Sequence, residues 1–332
     1  MTHLPDTVTK PTTSNHTLIW YGLGLIALLA APFLFYPVFL VKLLCFALFA
    51  CAFNLLLGSC GLLSFGHAAF FGAAGYVAGH AAKEWGLPFE LAILCGTASA
   101  AVLGFLFGYV SVRRSGLQFA MITLALAQLI YFLAWQLPFT HAEDGLSAIP
   151  RGKVLGLFDL DNIMVLYYTT AAIFLFGFIA MHRMTNSTFG QLLRAIRDNE
   201  PRAISLGYEV NRYKLMAFVL SATFAGLAGS TKAIALKIAA LTDVHWATSG
   251  SVILMTLLGG LGTLLGPVVG AGVVQAIEDH LSSLPADFAV FGLFRLPPIT
   301  AIIGAIFIIC ILLFRRGIVG EIQHWLDRRS GK

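Results

Sequence analysis

The chain has 332 residues, of which 58% are hydrophobic and only 11% are charged. A soluble globular domain carries about 25% charged residues, so a chain this poor in charge cannot cover its surface in water. The net charge of +5 is scattered over short loops, without the basic and aromatic stripe typical of nucleic-acid binding. The composition therefore predicts an all-α protein that crosses the lipid bilayer several times, and it excludes a nucleic-acid partner.

About ten apolar runs have, or nearly have, the length that a membrane-spanning helix requires. In chain order the runs are Leu18–Phe35, Val38–Leu57, Ala68–Ala82, Phe89–Val112, Leu117–Leu137, Ile163–Met181, Leu215–Ile234, Val252–Leu258 with the residues before it, Val268–Leu284 and Ile299–Phe314. The third and eighth runs are short, so we expect these crossings to be tilted, broken or re-entrant.

The charges of the connecting segments predict an orientation. Segment 183–214 has more basic than acidic residues, whereas segment 138–161 has more acidic than basic residues. Because basic loops stay in the cytoplasm, we expect 183–214 to be cytoplasmic and 138–161 to lie on the outer side of the membrane. The domain organisation that follows is a cytoplasmic tail over 1–17, a transmembrane domain over 18–314 and a second cytoplasmic tail over 315–332.

Two glycine-dense breaks interrupt the apolar runs, one over Gly58–Gly66 and one over Gly259–Pro267. One interpretation is close helix packing through small residues. The other is a discontinuous helix whose freed backbone groups line a cavity, since irregular backbone at membrane depth is tolerated only there or inside protein. The pattern leaves both interpretations open.

Polar side chains within apolar runs are few, and such groups are candidates for a translocation pathway. Together with the glycines of the two breaks, the candidates are Asn54, Gly58, Gly61, Ser64, Gly66, His67, Thr123, Gln128, Gly259, Gly260 and Gly262. His67 alone is more typical of a hydrogen-bonded structural histidine than of a proton relay. The scarcity of acidic residues in the runs argues against proton-coupled transport.

Segment 183–214 has the pattern of a helix-turn-helix outside the membrane. Ser187 or Thr188 can cap the first helix, and Asn199 can cap a second helix with Pro201 in its first turn. Gly207 suits the left-handed residue that ends the second helix. Such an amphipathic, basic unit either lies on anionic headgroups or forms a docking surface for a cytoplasmic partner that drives transport.

The sequence has no motif for chemistry of its own. It contains no G-x-x-x-x-G-K-[ST] loop for ATP, no H-E-x-x-H and no G-x-S-x-G. Its five cysteines lie in apolar stretches and form no C-x-x-C pair, so we interpret them as small core residues. We therefore expect a transport protein with no catalytic residue, metal or cofactor. A self-sufficient channel or secondary carrier is an alternative to a transporter driven by a partner.

Several stretches, in order, resemble the LivM-type permease subunits of ABC importers for branched-chain amino acids. These stretches are Asn54–Tyr76, Asp144–Pro150, Arg194–Glu200, Arg212–Phe218, Leu257–Pro267 and Arg316–Gly320. The resemblance implies an amino-acid permease of the bacterial inner membrane, although urea and amide permeases share these motifs. It also implies a second, LivH-like permease, two cytoplasmic ABC ATPase subunits and a periplasmic solute-binding protein as partners.

The resemblance further implies that the stretch around Arg194–Gly207 is the loop that couples to the ATPases. The general pattern there is Glu-Ala-Ala-x-x-x-Gly; Ala203 and Gly207 are in register, and Glu200 is one residue early. The implied coupling residues are Arg194, Arg197, Asp198, Asn199, Glu200, Ala203 and Gly207. Lys232 and Lys237 are unexpected in this family; we expect them either to attract an acidic ligand or a binding-protein lobe at the outer mouth, or to anchor the helix at the interface.

Overall fold

The computed structural model describes residue 24, residues 28–282 except 143, 155 and 264, residues 304 and 308, and residues 317–321. The helices with defined bounds are α1 Pro37–Cys60, α2 His67–Lys83, α3 Phe89–Ser111, α4 Gly116–Gln136, α5 Ile163–Asn186, α6 Thr188–Asp198, α7 Glu200–Ser205, α8 Val210–Leu236, α9 Trp246–Gly259 and α10 Gly266–Ser282. Short strands are β1 Leu146–Ser147, β2 Lys153–Val154, β3 Phe158–Asp159 and β4 Ile238–Ala239, and 3-10 turns cover Pro138–Thr140 and Leu241–Asp243.

The predicted apolar runs form helices wherever the structure describes them. Five described helices (α1, α3, α4, α5 and α8) are long and apolar enough to cross a membrane. The third run became α2, of 17 residues, and the eighth became α9, of 14 residues, so both are short as predicted. The structure describes the run Leu18–Phe35 only at 24 and 28–35 and the run Ile299–Phe314 only at 304 and 308. The count of ten crossings and the placement of both termini therefore stay predictions.

Helix α8 lies at the centre of the bundle and packs against α1, α2 and α3. Small residues allow this close approach: a Cβ atom added at Gly75 of α2 would lie 3.3 Å from the Gly229 carbonyl oxygen of α8. Glycine residues in this bundle therefore permit close packing of the helices. By contrast, α4 lies at the periphery, and Leu117 and Met121 on it are exposed.

One end of the bundle is formed by segment 138–161. Strand β1 pairs antiparallel with β4, which follows α8, with Leu146 opposite Ala239. The Arg151 side chain donates through Nε and Nη2 to the Ala235 carbonyl at 3.1 and 2.8 Å. Lys83, at the end of α2, donates to the Ser147 carbonyl at 3.1 Å. We refer to this as the 138–161 end.

The opposite end of the bundle carries α6 and α7, and we refer to it as the 183–214 end. The end of α1 lies there, because Arg197 of α6 donates to the Gly58 carbonyl. The turn between α9 and α10 lies there as well, because Gly262 contacts Asn54 of α1. Both glycine breaks are thus connections between separate helices at this end, rather than interruptions within one helix.

The expectations for Lys232 need correction. Lys232 is buried and forms an ion pair with the Asp243 carboxylate, so it neither presents a free charge at the surface nor anchors the helix in headgroups. Lys237, in contrast, is partly exposed and pairs with Asp161 at 2.8 Å. The physical reason is that Asp243 follows α8 after only a short turn, which brings a carboxylate back to the end of the same helix.

Candidate coupling site and cavity

The 183–214 segment folds as the sequence predicts. Ser187 caps α6 by accepting from the Gly190 N–H at 3.4 Å. Asn199 caps α7 by accepting from the Arg202 N–H at 3.0 Å, and Pro201 is in the first turn. Gly207 follows α7 with φ +87°, a left-handed conformation that costs glycine little. The helix-turn-helix is therefore confirmed, with Ser187 as the first cap.

Packing explains the alanine at position 203, which is in register with the Glu-Ala-Ala-x-x-x-Gly pattern. It is buried in a small apolar cluster with Ile196 of α6 and Val210 of α8. A larger side chain would separate α6 from α7. Glu200, which is one residue early in the family pattern, forms an ion pair with the buried Lys214 of α8. The Lys214 Nζ lies 2.7 Å from the Glu200 Oε1. These contacts make α6, α7 and the start of α8 one unit.

The exposed surface of this unit carries apolar side chains. Ile204, Leu206 and Tyr208 are exposed, and Leu206 keeps 69% of its surface in contact with solvent. Beside them is a groove of about 230 Å³. The lining of the groove consists of Leu192, Ala195, Asp198, Asn199, Arg202, Ala203, Leu206 and Tyr208. A concave apolar surface with charged edges is typical of a protein-binding site.

Arg197 connects this unit to the first glycine break. Its Nη1 donates to the Gly58 carbonyl at 2.5 Å, and its Nε and Nη2 donate to Asp198, each at 3.1 Å. The Gly58 carbonyl is one of the last in α1, which has no later helical N–H to accept from. A Cβ atom at Gly61 would lie 2.8 Å from Cγ of Arg197, so glycine is needed for this approach. Arg197 therefore holds α6 against the end of α1.

Asn54 connects the first break to the second. Its Nδ2 donates to the Thr263 carbonyl at 2.9 Å, and its Oδ1 accepts from the Gly262 N–H at 3.2 Å. Gly58, one turn further along α1, leaves room for this contact, because a Cβ atom there would lie 3.2 Å from the Gly262 Cα. One amide side chain thus satisfies two backbone groups of the second break.

These contacts surround a cavity of about 440 Å³ at the 183–214 end. The cavity is lined by Asn54, Gly58, Ser59, His182, Thr185, Asn186, Arg194, Arg197, Leu261, Gly262 and Thr263. Arg194 also donates to the Thr185 carbonyl at 3.0 Å. The structure therefore brings together two sets of residues that the sequence analysis treated separately, the coupling residues and part of the pathway candidates.

The other candidates of the first break pack between helices. Thr123 Oγ1 of α4 accepts from the Phe65 N–H at 3.2 Å, and Ser64 Oγ accepts from the Gly66 N–H at 3.2 Å. The Ala68 N–H donates to a hydroxyl that the sequence analysis missed, Ser249 of α9, at 2.8 Å. The N–H groups at the start of α2 are thus satisfied by hydroxyl groups, as a low-dielectric environment requires.

His67 has the structural environment that the sequence favours. It is buried, and its Nε2 is 2.8 Å from Ser221 Oγ of α8. Ser221 in turn donates to the Ala52 carbonyl of α1 at 2.5 Å. This chain of hydrogen bonds joins α1, α2 and α8. Ser221 was missed, although a hydroxyl in an apolar run is the same signal that selected Thr123.

The remaining candidates lie apart from the cavity. Gly259 and Gly260 form the end of α9, and Gly317 packs directly on the Gly260 backbone. Gln128 is exposed on α4. Within the part of the chain that the structure describes, no cluster of three or more His, Cys, Asp or Glu side chains could hold a metal ion.

Comparison with known proteins gives a consistent assignment. The profile of the family described as "Branched-chain amino acid transport system / permease component" matches residues 37–312. The high-affinity branched-chain amino acid transport system permease protein LivM of Salmonella typhimurium is 25% identical over 303 residues, covering 84% of this chain and 68% of the relative. The protein of the same description from Escherichia coli is 26% identical over 301 residues, with the same coverage. No solved structure matches the chain.

Proposed function

Because the chain belongs to the family of branched-chain amino acid transport system permease components, we propose that it forms one transmembrane half of an ATP-driven importer for branched-chain or other amino acids. The proposal places it in the bacterial inner membrane with the 183–214 end in the cytoplasm and the 138–161 end in the periplasm. The second half is a LivH-like permease, two cytoplasmic ABC ATPases supply the energy, and a periplasmic binding protein delivers the solute.

The observation that carries the proposal is the hydrogen bond from Arg197 to the Gly58 carbonyl. This hydrogen bond joins α6, which in the proposed orientation is a cytoplasmic helix, to the end of the buried membrane helix α1. Beside α6 lies the exposed apolar surface that contains Leu206 and Tyr208. An ATPase that docks on Leu206 and Tyr208 can therefore displace α1 directly. Since Asn54 ties α1 to Gly262, the displacement also reaches the turn between α9 and α10.

The cavity at the 183–214 end is the proposed exit of the solute. It lies between the ends of α1, α5 and α9 and is lined by amide groups and two arginines. Displacement of α6 together with α1 changes the width of the cavity, because residues of both helices line it. The exposed apolar surfaces of α3 and α4, including Phe105 and Phe132, provide area for lipid and for the second permease.

The test is reconstitution in proteoliposomes with the second permease, the two ATPases and the binding protein. We expect uptake of radiolabelled leucine only when ATP is supplied on the side of the ATPases. The matched control is the same assembly with a hydrolysis-deficient ATPase, which is expected to bind leucine-loaded binding protein without uptake. Leucine flux through this chain alone would contradict the proposal in favour of a self-sufficient channel or carrier, and uptake of urea in place of leucine would favour a urea importer.

A further inference from the structure

Lys232 and Asp243 form an ion pair inside the 138–161 end of the bundle. The Lys232 ammonium contacts both carboxylate oxygens of Asp243. Only 8% of Lys232 and 9% of Asp243 is exposed, so the pair is almost removed from solvent. The ammonium also lies 5.9 Å from the ring centroid of Phe71 in α2. The pair therefore occupies the junction of α2, α8 and the 3-10 turn Leu241–Asp243.

A third polar group lies beside this pair. Gly72 of α2 allows the turn to pack on the helix backbone, because a Cβ atom there would lie 2.7 Å from the Val244 N. Tyr76 is one helical turn further on the same face. It is 2% exposed, and its hydroxyl has no hydrogen-bond partner among the described residues. An unpaired buried hydroxyl is costly, so it requires a reason.

Stability alone is a poor reason for this arrangement. A buried ion pair gives up the hydration of two charges, and apolar residues of similar size are often as stabilising. Ionisable residues within membrane segments accordingly mark functional sites by default. The pair between Lys237 and Asp161 differs, because both side chains are exposed and the Lys237 hydrogen bond simply lowers the pKa of Asp161.

We propose that Lys232 and Asp243 form a recognition site for the zwitterionic backbone of an amino acid, with the Lys232 ammonium holding the solute carboxylate and the Asp243 carboxylate holding the solute ammonium. The Tyr76 hydroxyl donates to the solute carboxylate. This inference rests on the proposed function as an amino-acid permease. Lys232, Asp243 and Tyr76 are specificity-determining residues in it.

The exchange keeps every charge paired. Without solute, Lys232 and Asp243 neutralise each other; with solute, each is neutralised by the opposite charge of the zwitterion. No step leaves an isolated charge in a low-dielectric environment, which would be the costly state. A solute with one charge would leave either Lys232 or Asp243 unpaired, and an uncharged solute such as urea has no charge to offer to either. The site therefore favours amino acids over urea and amides.

The test uses the assembled transporter in proteoliposomes, with leucine uptake and binding-protein-stimulated ATP hydrolysis measured in parallel. The doubly substituted Lys232→Asp/Asp243→Lys chain keeps an ion pair but reverses its direction. We expect at least a tenfold loss of uptake while ATP hydrolysis stays within twofold of the wild type. The matched control is Lys237→Asp/Asp161→Lys, which reverses the exposed pair and is expected to retain both activities.

A second variant keeps the inference testable if the doubly substituted chain misfolds. Tyr76→Phe removes only a hydroxyl without a partner, so we expect normal assembly, an unchanged maximal rate and a KM for leucine raised about fivefold. Wild-type uptake by the reversed pair, or a wild-type KM in Tyr76→Phe, overturns the inference and assigns these residues a structural role. These results leave the proposed function intact, whereas absence of ATP-driven amino-acid uptake by the wild-type assembly contradicts the proposed function itself.

Discussion

The Gly262 backbone N–H donates to the side-chain carbonyl of Asn54 across a separation of 208 residues. The same side chain donates to the Thr263 carbonyl. Asn54 therefore joins the two glycine breaks, which are far apart in the chain and adjacent in the structure.

Replacing Asn54 by leucine is expected to destabilise the 183–214 end. Leucine has a similar volume, but it leaves the Gly262 N–H and the Thr263 carbonyl without their side-chain partner at a partly buried site. A hydrogen bond of this kind contributes about 0.5–1.5 kcal/mol, so the loss of two should lower the melting temperature in detergent measurably. The control is Asn211→Leu at the exposed start of α8, for which no change is expected. Equal melting temperatures for Asn54→Leu and the wild type would show that the breaks do not depend on this amide.

Arg197→Glu tests the link between the α6–α7 unit and α1. The substitution removes the donor to the Gly58 carbonyl and places a carboxylate beside both that oxygen and Asp198. We expect the transporter to assemble with its ATPases but to lose at least tenfold in uptake.

The matched control for that experiment is Arg212→Glu. Arg212 has the same side chain in the same segment, but it is exposed and contacts only Glu209 in the neighbouring turn among the described ion pairs. Its loss should lower uptake less than twofold. Full uptake by Arg197→Glu would remove the central observation behind the proposed coupling.

Gly207→Ala tests the geometry of the turn after α7. Gly207 has φ +87° and open space around it, so an added methyl group acts only through backbone strain. Left-handed backbone costs a residue with a Cβ atom about 1–2 kcal/mol. We expect α7 to change its docking orientation and uptake to fall several-fold. Gly152→Ala, with φ +68° and equally open space at the opposite end, imposes the same strain and should leave uptake unchanged.

Thiol labelling tests the proposed orientation. In a chain whose five cysteines are replaced by alanine, a single cysteine is introduced at Arg194 or at Asp161, both of which are exposed. An impermeant maleimide added to intact spheroplasts should label the cysteine at 161 and not the one at 194. Inverted vesicles should give the reverse pattern. Labelling of both positions from one side would refute the orientation that the loop charges predict.

Sequence reasoning succeeded where the determinants are local. Apolar runs located the helices, because a chain in lipid must satisfy its backbone groups within each segment. Ser187, Asn199, Pro201 and Gly207 predicted the α6–α7 unit, since caps and turns depend on neighbouring residues. The short length of α9 followed in the same way.

The contacts between distant segments could not be predicted in this way. Lys232 was expected to be accessible, because nothing in its own helix shows that Asp243 returns to it. The meeting of Asn54 with Gly262 requires α1 and α9 to be neighbours, which is a property of the packing. Both breaks are rich in glycine, but this composition does not show that they are in contact.

Two helices of this bundle, α2 and α9, are shorter than a bilayer is thick. With 17 residues in α2 and 14 in α9, these helices span about 21–26 Å, compared with about 30 Å for the hydrocarbon core. They contact each other. Water-filled vestibules or thinned lipid at their ends would bring the two aqueous phases closer together here than elsewhere in the membrane. A polar solute that crosses beside these helices travels a shorter dehydrated path, which lowers the barrier that the conformational cycle must overcome.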